Sequence, residues 1–208
     1  MSPARTATRA RRRTGKAPAS RFGRWLKIGI AASLGVVAAI GVSRIDFDKA
    51  LKEITLPLRH DDIIRQEARQ RQLDPALVAA VIYAESRFRD QTSAAGARGL
   101  MQITPDTAHK VAELSHGTRF VTRDLTDPDI NIAYGCFWLR YLLDHYGGNA
   151  VAALAAYNAG VENVDRWGGS DLGVDEIGFP ETRGYVEEVL DKRGEYHDKY
   201  ADDLGLSA

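Results

Sequence analysis

Glu85 occupies a position at which a carboxylate can become a general acid. It directly follows residues 76–84, a run in which every side chain except that of Tyr83 is fully apolar. An apolar run without a polar stripe is typical of a helix that is buried on all sides. A carboxylate at the edge of a core is partly desolvated, and desolvation favours its neutral form. The sequence therefore predicts that Glu85 donates a proton.

The same stretch also permits a second interpretation of Glu85. Most glutamates in proteins are solvated and have no chemical role. Arg87 and Arg89 follow two and four residues later, and either guanidinium could pair with the carboxylate on a surface. Position at a helix end alone leaves both interpretations open.

Capping signals predict the helices that position Glu85. Asp or Thr followed directly by Pro combines an N-cap acceptor with a residue suited to the first helical turn. Three such pairs predict helix starts at Pro75, at Pro105 and at Pro128. The first helix carries Glu85, the second runs to about Leu114, and the third ends before Gly147.

Further helices are predicted before and after these three. An apolar stripe beside charged residues indicates a helix from Asp61 to about Leu73. Asn149 is predicted to cap an alanine-rich helix that ends at Gly160, and Thr182 is predicted to cap the last helix, which runs to about Leu204. No strand pattern exceeds a few residues, so the expected fold class is all-α.

The helix after Pro128 is expected to be a second core helix. Its predicted core face consists of apolar residues at three- and four-residue spacing, which are Ile130, Ala133, Tyr134, Phe137, Trp138, Tyr141 and Leu142. Cys136 lies among them and is interpreted as a packed core thiol, because free cysteine is among the most buried residue types. It is the only cysteine, so an intramolecular disulfide is excluded.

The N-terminal part of the chain differs in charge from the rest. Residues 1–27 contain nine Arg or Lys and no acid, although the formal net charge of all 208 residues is zero. The uncharged stretch 28–43 follows, which favours a membrane over nucleic acid as the partner of the basic head. An uncleaved anchor is preferred to a cleaved signal peptide, because the long basic head fits the positive-inside rule.

These features predict four regions. They are a basic cytoplasmic head over 1–27, a transmembrane anchor or signal segment over 28–45, a tether over 46–57 and a folded domain over 58–208. The domain is expected outside the cytoplasm, either anchored to the membrane or secreted if the apolar segment is cleaved.

Four motifs, in order, resemble those of the soluble lytic transglycosylase family. They are the Glu85–Ser86 pair, SAAGARGLMQITP over 93–105, AAYNAG over 155–160 and ETRGYV over 181–186. The resemblance implies a lysozyme-like helical domain that cleaves the β-1,4 bond between N-acetylmuramic acid and N-acetylglucosamine in peptidoglycan. It also implies 1,6-anhydromuramoyl products, with Glu85 acting first as acid and then as base.

The resemblance assigns roles residue by residue. Beside the catalytic Glu85, the implied substrate contacts are Ser93, Met101, Gln102, Tyr157, Asn158, Glu181 and Tyr185. Tyr157 and Asn158 are expected to face the acid across the cleft, whereas Glu181 and Tyr185 are expected as outer contacts with saccharide or peptide stem.

Two alternatives to a lytic transglycosylase stay open at this point. A muramidase of the goose-type lysozyme kind would use water as the nucleophile, for which Asp106 or Glu181 would have to lie near Glu85. A non-catalytic wall-binding module would keep the cleft without turnover. No cofactor is expected, and the five histidines have no paired spacing that indicates a metal site.

Overall fold

The computed structural model describes residues 47–115 and 122–206. The predicted basic head and apolar segment, over 1–27 and 28–45, lie outside the described residues. Within the described ranges, no helix combines the length and the apolar character that crossing a membrane requires.

The described residues are helical, as predicted. The α-helices are α1 (Phe47–Thr55), α2 (Asp61–Arg71), α3 (Pro75–Ser86), α4 (Pro105–Leu114), α5 (Pro128–His145), α6 (Ala150–Ala159), α7 (Val161–Trp167) and α8 (Pro180–Lys199). Short 3-10 helices lie at Thr122–Thr126, Gly169–Asp171 and Val174–Glu176. In place of a sheet, the described ranges contain only the isolated bridges of Arg98 with Thr92 and with Ile103.

The predicted helix starts at the three proline pairs are confirmed. The Asp74 carboxylate accepts a hydrogen bond from the N–H of Ala76 at 2.8 Å, and Thr104 and Asp127 cap α4 and α5 in the same way. Each cap satisfies an N–H group that the first helical turn leaves without an intrahelical partner. These local signals therefore fix where the chain enters the core.

The core is organised around α3, as its composition predicts. All residues from Ala76 to Tyr83 are buried, and α8 makes the most extensive packing contact with this helix. The alanines of α6 allow that helix to approach both α5 and α8. Glu85 is thus carried to the rim of the core by a helix that has no wet face.

Tyr196 of α8 and Tyr200, directly after this helix, hold the start of the folded region in place. The hydroxyl of Tyr196 donates to the Pro57 carbonyl at 2.5 Å, and that of Tyr200 donates to the Leu56 carbonyl at 2.7 Å. These bonds join residues about 140 positions apart in sequence. The two ends of the domain are therefore closed onto each other.

The predicted core face of α5 was correct for Trp138 and Leu142 and is otherwise rotated from the observed one. The buried residues are Asn131, Ile132, Gly135, Cys136, Trp138, Leu139, Leu142 and Leu143, whereas Ile130, Ala133, Tyr134, Phe137 and Tyr141 are half-buried. An 18-residue helix that is apolar almost all round has no single stripe, so its periodicity does not define the inner face. Cys136 is fully buried, as predicted.

The predicted cap of the last helix was also wrong. α8 begins at Pro180, after Phe179, and Thr182 lies inside its first turn. The buried hydroxyl of Thr182 donates instead to Oδ1 of Asn158 on α6, at 2.8 Å. The Thr182 hydroxyl therefore bonds to a residue of another helix instead of capping its own helix.

Candidate active site

Glu85 lies one residue before the end of α3, where the buried helix reaches the surface of the core. Burial raises the pKa of its carboxyl from 4.5 to about 7, and the nearby Tyr185 hydroxyl lowers the pKa by a smaller amount. A group with a pKa near neutral pH can both donate and accept a proton, which is what general acid–base catalysis requires. The structure thus gives Glu85 the ionisation that the sequence predicts.

The neighbouring arginines do not neutralise Glu85. The Arg87 guanidinium lies 2.7 Å from a carboxylate oxygen of Glu188 on α8 and 4.0 Å from the centroid of the Tyr83 ring. No ion pair involving Glu85 occurs among residues 47–115 and 122–206. The interpretation of Glu85 as a surface partner of these arginines was therefore wrong.

The backbone turns sharply directly after Glu85. Arg87 and Phe88 both adopt left-handed conformations, with φ of 54° and 58°. Left-handed backbone is costly for a residue as bulky as phenylalanine and persists only where surrounding contacts impose it. Here the Phe88 ring is buried in the core against Tyr196, and the Arg87 N–H caps α3 on the Tyr83 carbonyl.

Tyr157 of α6 lies near enough to Glu85 for the carboxylate charge to act on its hydroxyl. Burial raises the pKa of its hydroxyl well above 10, and the charge of Glu85 adds to this effect. The hydroxyl donates to the Met101 carbonyl at 2.9 Å. This bond joins the AYNAG segment to the segment that follows the glycine-rich turn, so two of the motifs meet at the carboxylate.

Tyr185 of α8 completes the surroundings of Glu85. Its hydroxyl is buried and has no partner in good hydrogen-bond geometry among the described residues. It nevertheless lies close enough to the Glu85 carboxylate to lower the pKa of that group, while burial and the Glu85 charge raise its own pKa. The sequence predicted Tyr185 as an outer contact, but the structure places it beside the acid.

Met101 is fully buried and held from two sides. Its N–H donates to Oδ1 of Asn131 at 2.8 Å, and its carbonyl accepts from Tyr157. A methyl group at Gly135 of α5 would collide with the Met101 sulfur, so glycine is required there by packing. Met101 therefore supports the site from beneath, but its fully buried side chain presents no surface for the substrate contact that the resemblance implies.

Gln102 adopts a left-handed backbone conformation with φ of 46°. Its side-chain amide donates to the Gly99 carbonyl at 2.8 Å and to the Gln91 carbonyl at 3.0 Å. Because these bonds use both amide hydrogens, only the side-chain oxygen is left for a ligand. Gln102 can therefore contact a ligand only as an acceptor, for example of an N–H group.

Ser93 belongs to the turn that precedes this segment. Its hydroxyl accepts a hydrogen bond from the Ala97 N–H at 3.1 Å, and its own N–H donates to the Ala97 carbonyl at 2.9 Å. This pair of bonds closes the glycine-rich turn on itself. The half-buried Ser93 hydroxyl can still donate its proton outward.

Asn158 and Glu181 are exposed, in contrast to the residues around Glu85. Asn158 is oriented by the Thr182 hydroxyl, which leaves its amide nitrogen free to donate. Glu181 lies in the first turn of α8, one turn before Tyr185. No carboxylate, Glu181 and Asp106 included, contributes to the pKa shift of Glu85 within the described ranges.

Sequence reasoning missed two buried polar residues that hold the site. Asn131 accepts from Met101 and donates its amide to the carbonyls of Arg98 and Leu125, both at 2.9 Å. Thr182 fixes Asn158. The signal for Asn131 was present, because an amide flanked by Ile130 and Ile132 in a core helix requires buried partners.

The arrangement supports proton transfer by a single carboxylate. The Glu85 carboxylate lies near the hydroxyls of Tyr157 and Tyr185. Among the described residues, no second carboxylate contributes to its pKa shift. Within the same residues, no group of three or more His, Cys, Asp or Glu side chains is positioned to hold a metal ion. Acid–base chemistry is thus the chemistry that the described residues themselves can perform.

Comparison with known proteins supports this description. The transglycosylase SLT domain family matches residues 62–177. The soluble lytic murein transglycosylase of Escherichia coli is 35% identical over 147 residues, which cover 66% of this chain and 23% of that protein. Membrane-bound lytic murein transglycosylase F of Pseudomonas fluorescens is 31% identical over 114 residues, which cover 51% of this chain and 22% of that protein.

A solved structure shares the helical arrangement. The lytic transglycosylase Slt of Pseudomonas aeruginosa, solved as an inactive mutant with one glutamate replaced by glutamine, has a TM-score of 0.67 and 31% sequence identity. The match covers 84% of this chain and 29% of that one. The likeness supports the predicted lysozyme-like helical fold, and the chain spans less than a third of the length of each of these three relatives.

Proposed function

Because the chain belongs to the transglycosylase SLT domain family, we propose that it is a peptidoglycan lytic transglycosylase. The observation that carries the proposal is the single desolvated carboxylate of Glu85, with a pKa of about 7 and two tyrosine hydroxyls around it. The substrate is the β-1,4 bond between N-acetylmuramic acid and N-acetylglucosamine.

In the first step, neutral Glu85 protonates the glycosidic oxygen. The bond between this oxygen and C1 of the muramoyl residue breaks, and N-acetylglucosamine leaves with a free 4-hydroxyl group. The oxocarbenium-like C1 is stabilised by the 2-acetamido group of the substrate itself. Glu85 is left as a carboxylate in a poorly solvated environment, where it is a stronger base than an exposed glutamate.

In the second step, the Glu85 carboxylate takes the proton of the muramoyl C6 hydroxyl, whose oxygen bonds to C1. A 1,6-anhydro ring forms, Glu85 regains its proton, and no water is consumed. Intramolecular attack has an effective concentration that reaches about 10⁵ M or more in well-oriented systems. A site without a second carboxylate to activate water is suited to this route.

The other residues of the site hold the sugars. Tyr157, held from beneath by the buried Met101, forms the wall next to the reacting ring, and the Gln102 oxygen accepts from an acetamido N–H. Ser93 and Asn158 donate to hydroxyl or carbonyl groups of the glycan. Tyr185 positions the Glu85 carboxylate, and Glu181 is an outer contact.

The N-terminal segments anchor this domain outside the cytoplasm. The proposal rests on the basic residues of 1–27, the apolar stretch 28–43 and the acidic excess of the remainder. Protease added to wall-stripped cells should digest residues 60–208. Protection of these residues would place the domain inside and contradict the proposal.

The experiment that tests the reaction is product analysis with purified glycan strands in ¹⁸O-labelled water. We expect 1,6-anhydromuramoyl ends, which are lighter by one water than hydrolysed ends, and little incorporation of ¹⁸O. Predominantly reducing ends that carry ¹⁸O would identify a muramidase. Strands that bind without being cleaved would identify a wall-binding module.

A further inference from the structure

A second cleft lies beyond the residues that surround Glu85. It has a volume of about 500 Å³, within the range of small-molecule sites. Its walls come from the first two turns of α4, from Trp138 of α5 and from residues 159–163 at the junction of α6 and α7. None of the residues assigned to the glycan site lines it.

The shape of this cleft is fixed by the backbone. Gly160 has φ of 88°, a conformation that favours glycine, and this turn separates α6 from α7. The Asn163 amide donates to the Ala159 carbonyl at 2.7 Å and holds the corner. A methyl group at Gly160 would meet nothing within 4 Å, so the space in front of the corner is open.

The charged side chains that line the cleft do not form ion pairs with one another. Asp106, Lys110 and Glu162 all line it and are exposed, and no ion pair joins any of them within the described ranges. The Lys110 ammonium lies 5.2 Å from the centroid of the Trp138 ring. An aromatic face at this distance attracts a cation and orients it. The cleft thus presents one oriented ammonium and two carboxylates.

Two chain segments that line the cleft continue directly from residues of the proposed glycan site. Asp106 follows Gln102 by four residues, and Gly160 follows Asn158 by two. The bond from Tyr157 to Met101 ties these two segments together where they leave the site. Four residues span at most about 14 Å, which a peptide of similar length attached to a bound sugar can also reach.

We propose that the cleft of Asp106, Lys110 and Glu162 binds the peptide stem of peptidoglycan. This inference rests on the proposed function. The stem carries free carboxylates and, at an uncrosslinked diamino acid, a free ammonium group. Lys110 pairs with a stem carboxylate, while Asp106 and Glu162 pair with the stem ammonium.

The proposal predicts a preference for strands that keep their stems. Exposed ion pairs are individually weak and are screened by salt, so the preference is modest and declines as ionic strength rises. The readout is the ratio of kcat/KM between stem-bearing strands and the same strands after an amidase has removed the stems. We expect a ratio of about ten for the wild-type full chain at low salt.

Removing the three charges should abolish this preference. The substitutions Asp106→Asn, Lys110→Gln and Glu162→Gln, which preserve side-chain size, should reduce the ratio to about one in combination and about two- to threefold singly. The matched control is Arg69→Gln on α2, an exposed cation that does not line the cleft, and it should leave the ratio unchanged. A triple variant with the wild-type ratio, or a wild-type ratio of one, would overturn the proposal.

A binding measurement separates this inference from the proposed reaction. A free stem tetrapeptide is titrated against the full chain carrying Glu85→Gln, with and without the three cleft substitutions. Saturable binding that the cleft substitutions weaken supports the stem site, even if the products from glycan prove to be hydrolytic. Equal binding by both proteins would contradict the stem site, whatever the products are.

Discussion

Glu67 on α2 and Glu85 on α3 are two carboxylates at the core with opposite surroundings. Glu67 is 7% exposed, and its carboxylate lies 3.0 Å from the Arg71 guanidinium one turn later. Glu85 is less buried but has no ion pair within the described ranges, and its pKa rises to about 7. A carboxylate at the core can therefore be paired with a cation, as Glu67 is, or left without one, as Glu85 is. A reactive carboxylate needs desolvation without such a partner.

The sharpest test of this contrast is to neutralise each carboxylate in turn. Glu85→Gln keeps the shape of the side chain but removes the proton donor, so kcat should fall by about 10² to 10⁴. Release of 1,6-anhydro products from glycan strands measures the loss, and circular dichroism checks the fold. Retention of most of the wild-type rate would mean that another acid performs the chemistry.

The second test follows stability with pH. The folded state holds the Glu85 proton more tightly than the unfolded state does, because the pKa is raised from 4.5 to about 7. The favourable contribution is therefore complete below pH 4.5 and is lost as pH rises toward 7. At 1.36 kcal/mol per unit of pKa, the loss amounts to about 3 kcal/mol.

Urea unfolding of the wild type and of Glu85→Gln measures this loss. The glutamine variant cannot ionise, so its stability relative to the wild type should rise by about 3 kcal/mol between pH 4.5 and pH 8. A difference that stays constant over this range would show that Glu85 has an ordinary pKa and would contradict its desolvation.

The third test removes the charge of the paired carboxylate. Glu67→Gln leaves the Arg71 guanidinium without its charged partner, so the free energy of unfolding should fall by about 1–3 kcal/mol. Because Glu67 has no part in the proposed site, kcat should stay near the wild-type value. Glu113→Gln on the exposed face of α4 is the control and should change neither quantity. A large loss of kcat in Glu67→Gln at full stability would contradict the division of roles.

The smallest expected effect concerns the hydroxyl beside Glu85. Tyr185→Phe removes the group that lowers the Glu85 pKa, so the high-pH limit of activity should move to higher pH. The loss of one interaction of about 1.4 kcal/mol should reduce kcat about tenfold. Tyr200→Phe, which removes a hydroxyl bonded to the Leu56 carbonyl, should leave the pH profile unchanged. An unaltered profile in Tyr185→Phe would reduce Tyr185 to a packing residue.

Comparison of the helices shows where sequence reasoning succeeded and failed. It predicted the starts of α3, α4 and α5 correctly, because an N-cap side chain and a proline act within one turn of the chain. It failed for the inner face of α5 and for the role of Thr182. In both cases the outcome depended on a residue more than twenty positions away, namely Met101 for Gly135 and Asn158 for Thr182.

The site residues show the same difference between local signals and contacts with distant residues. Glu85 was predicted from the sequence, Tyr157, Tyr185 and Gln102 were implied by the resemblance, and Asn131 was missed. The resemblance did not indicate that the amide hydrogens of Gln102 are used by the backbone of its own turn. Hydrogen-bond capacity is visible in a sequence, but whether the backbone has already used it is not.

The sequence by itself determined that a helix without a polar face would carry Glu85 to the edge of a core. That outcome depends on composition and on capping, which are local properties. Only the tertiary structure decided that Arg87 turns away to Glu188, and that Tyr157 and Tyr185 close around the carboxylate. The pKa of Glu85 depends on the water and charge that distant segments exclude or supply, so it is fixed only when α3, α6 and α8 are packed together.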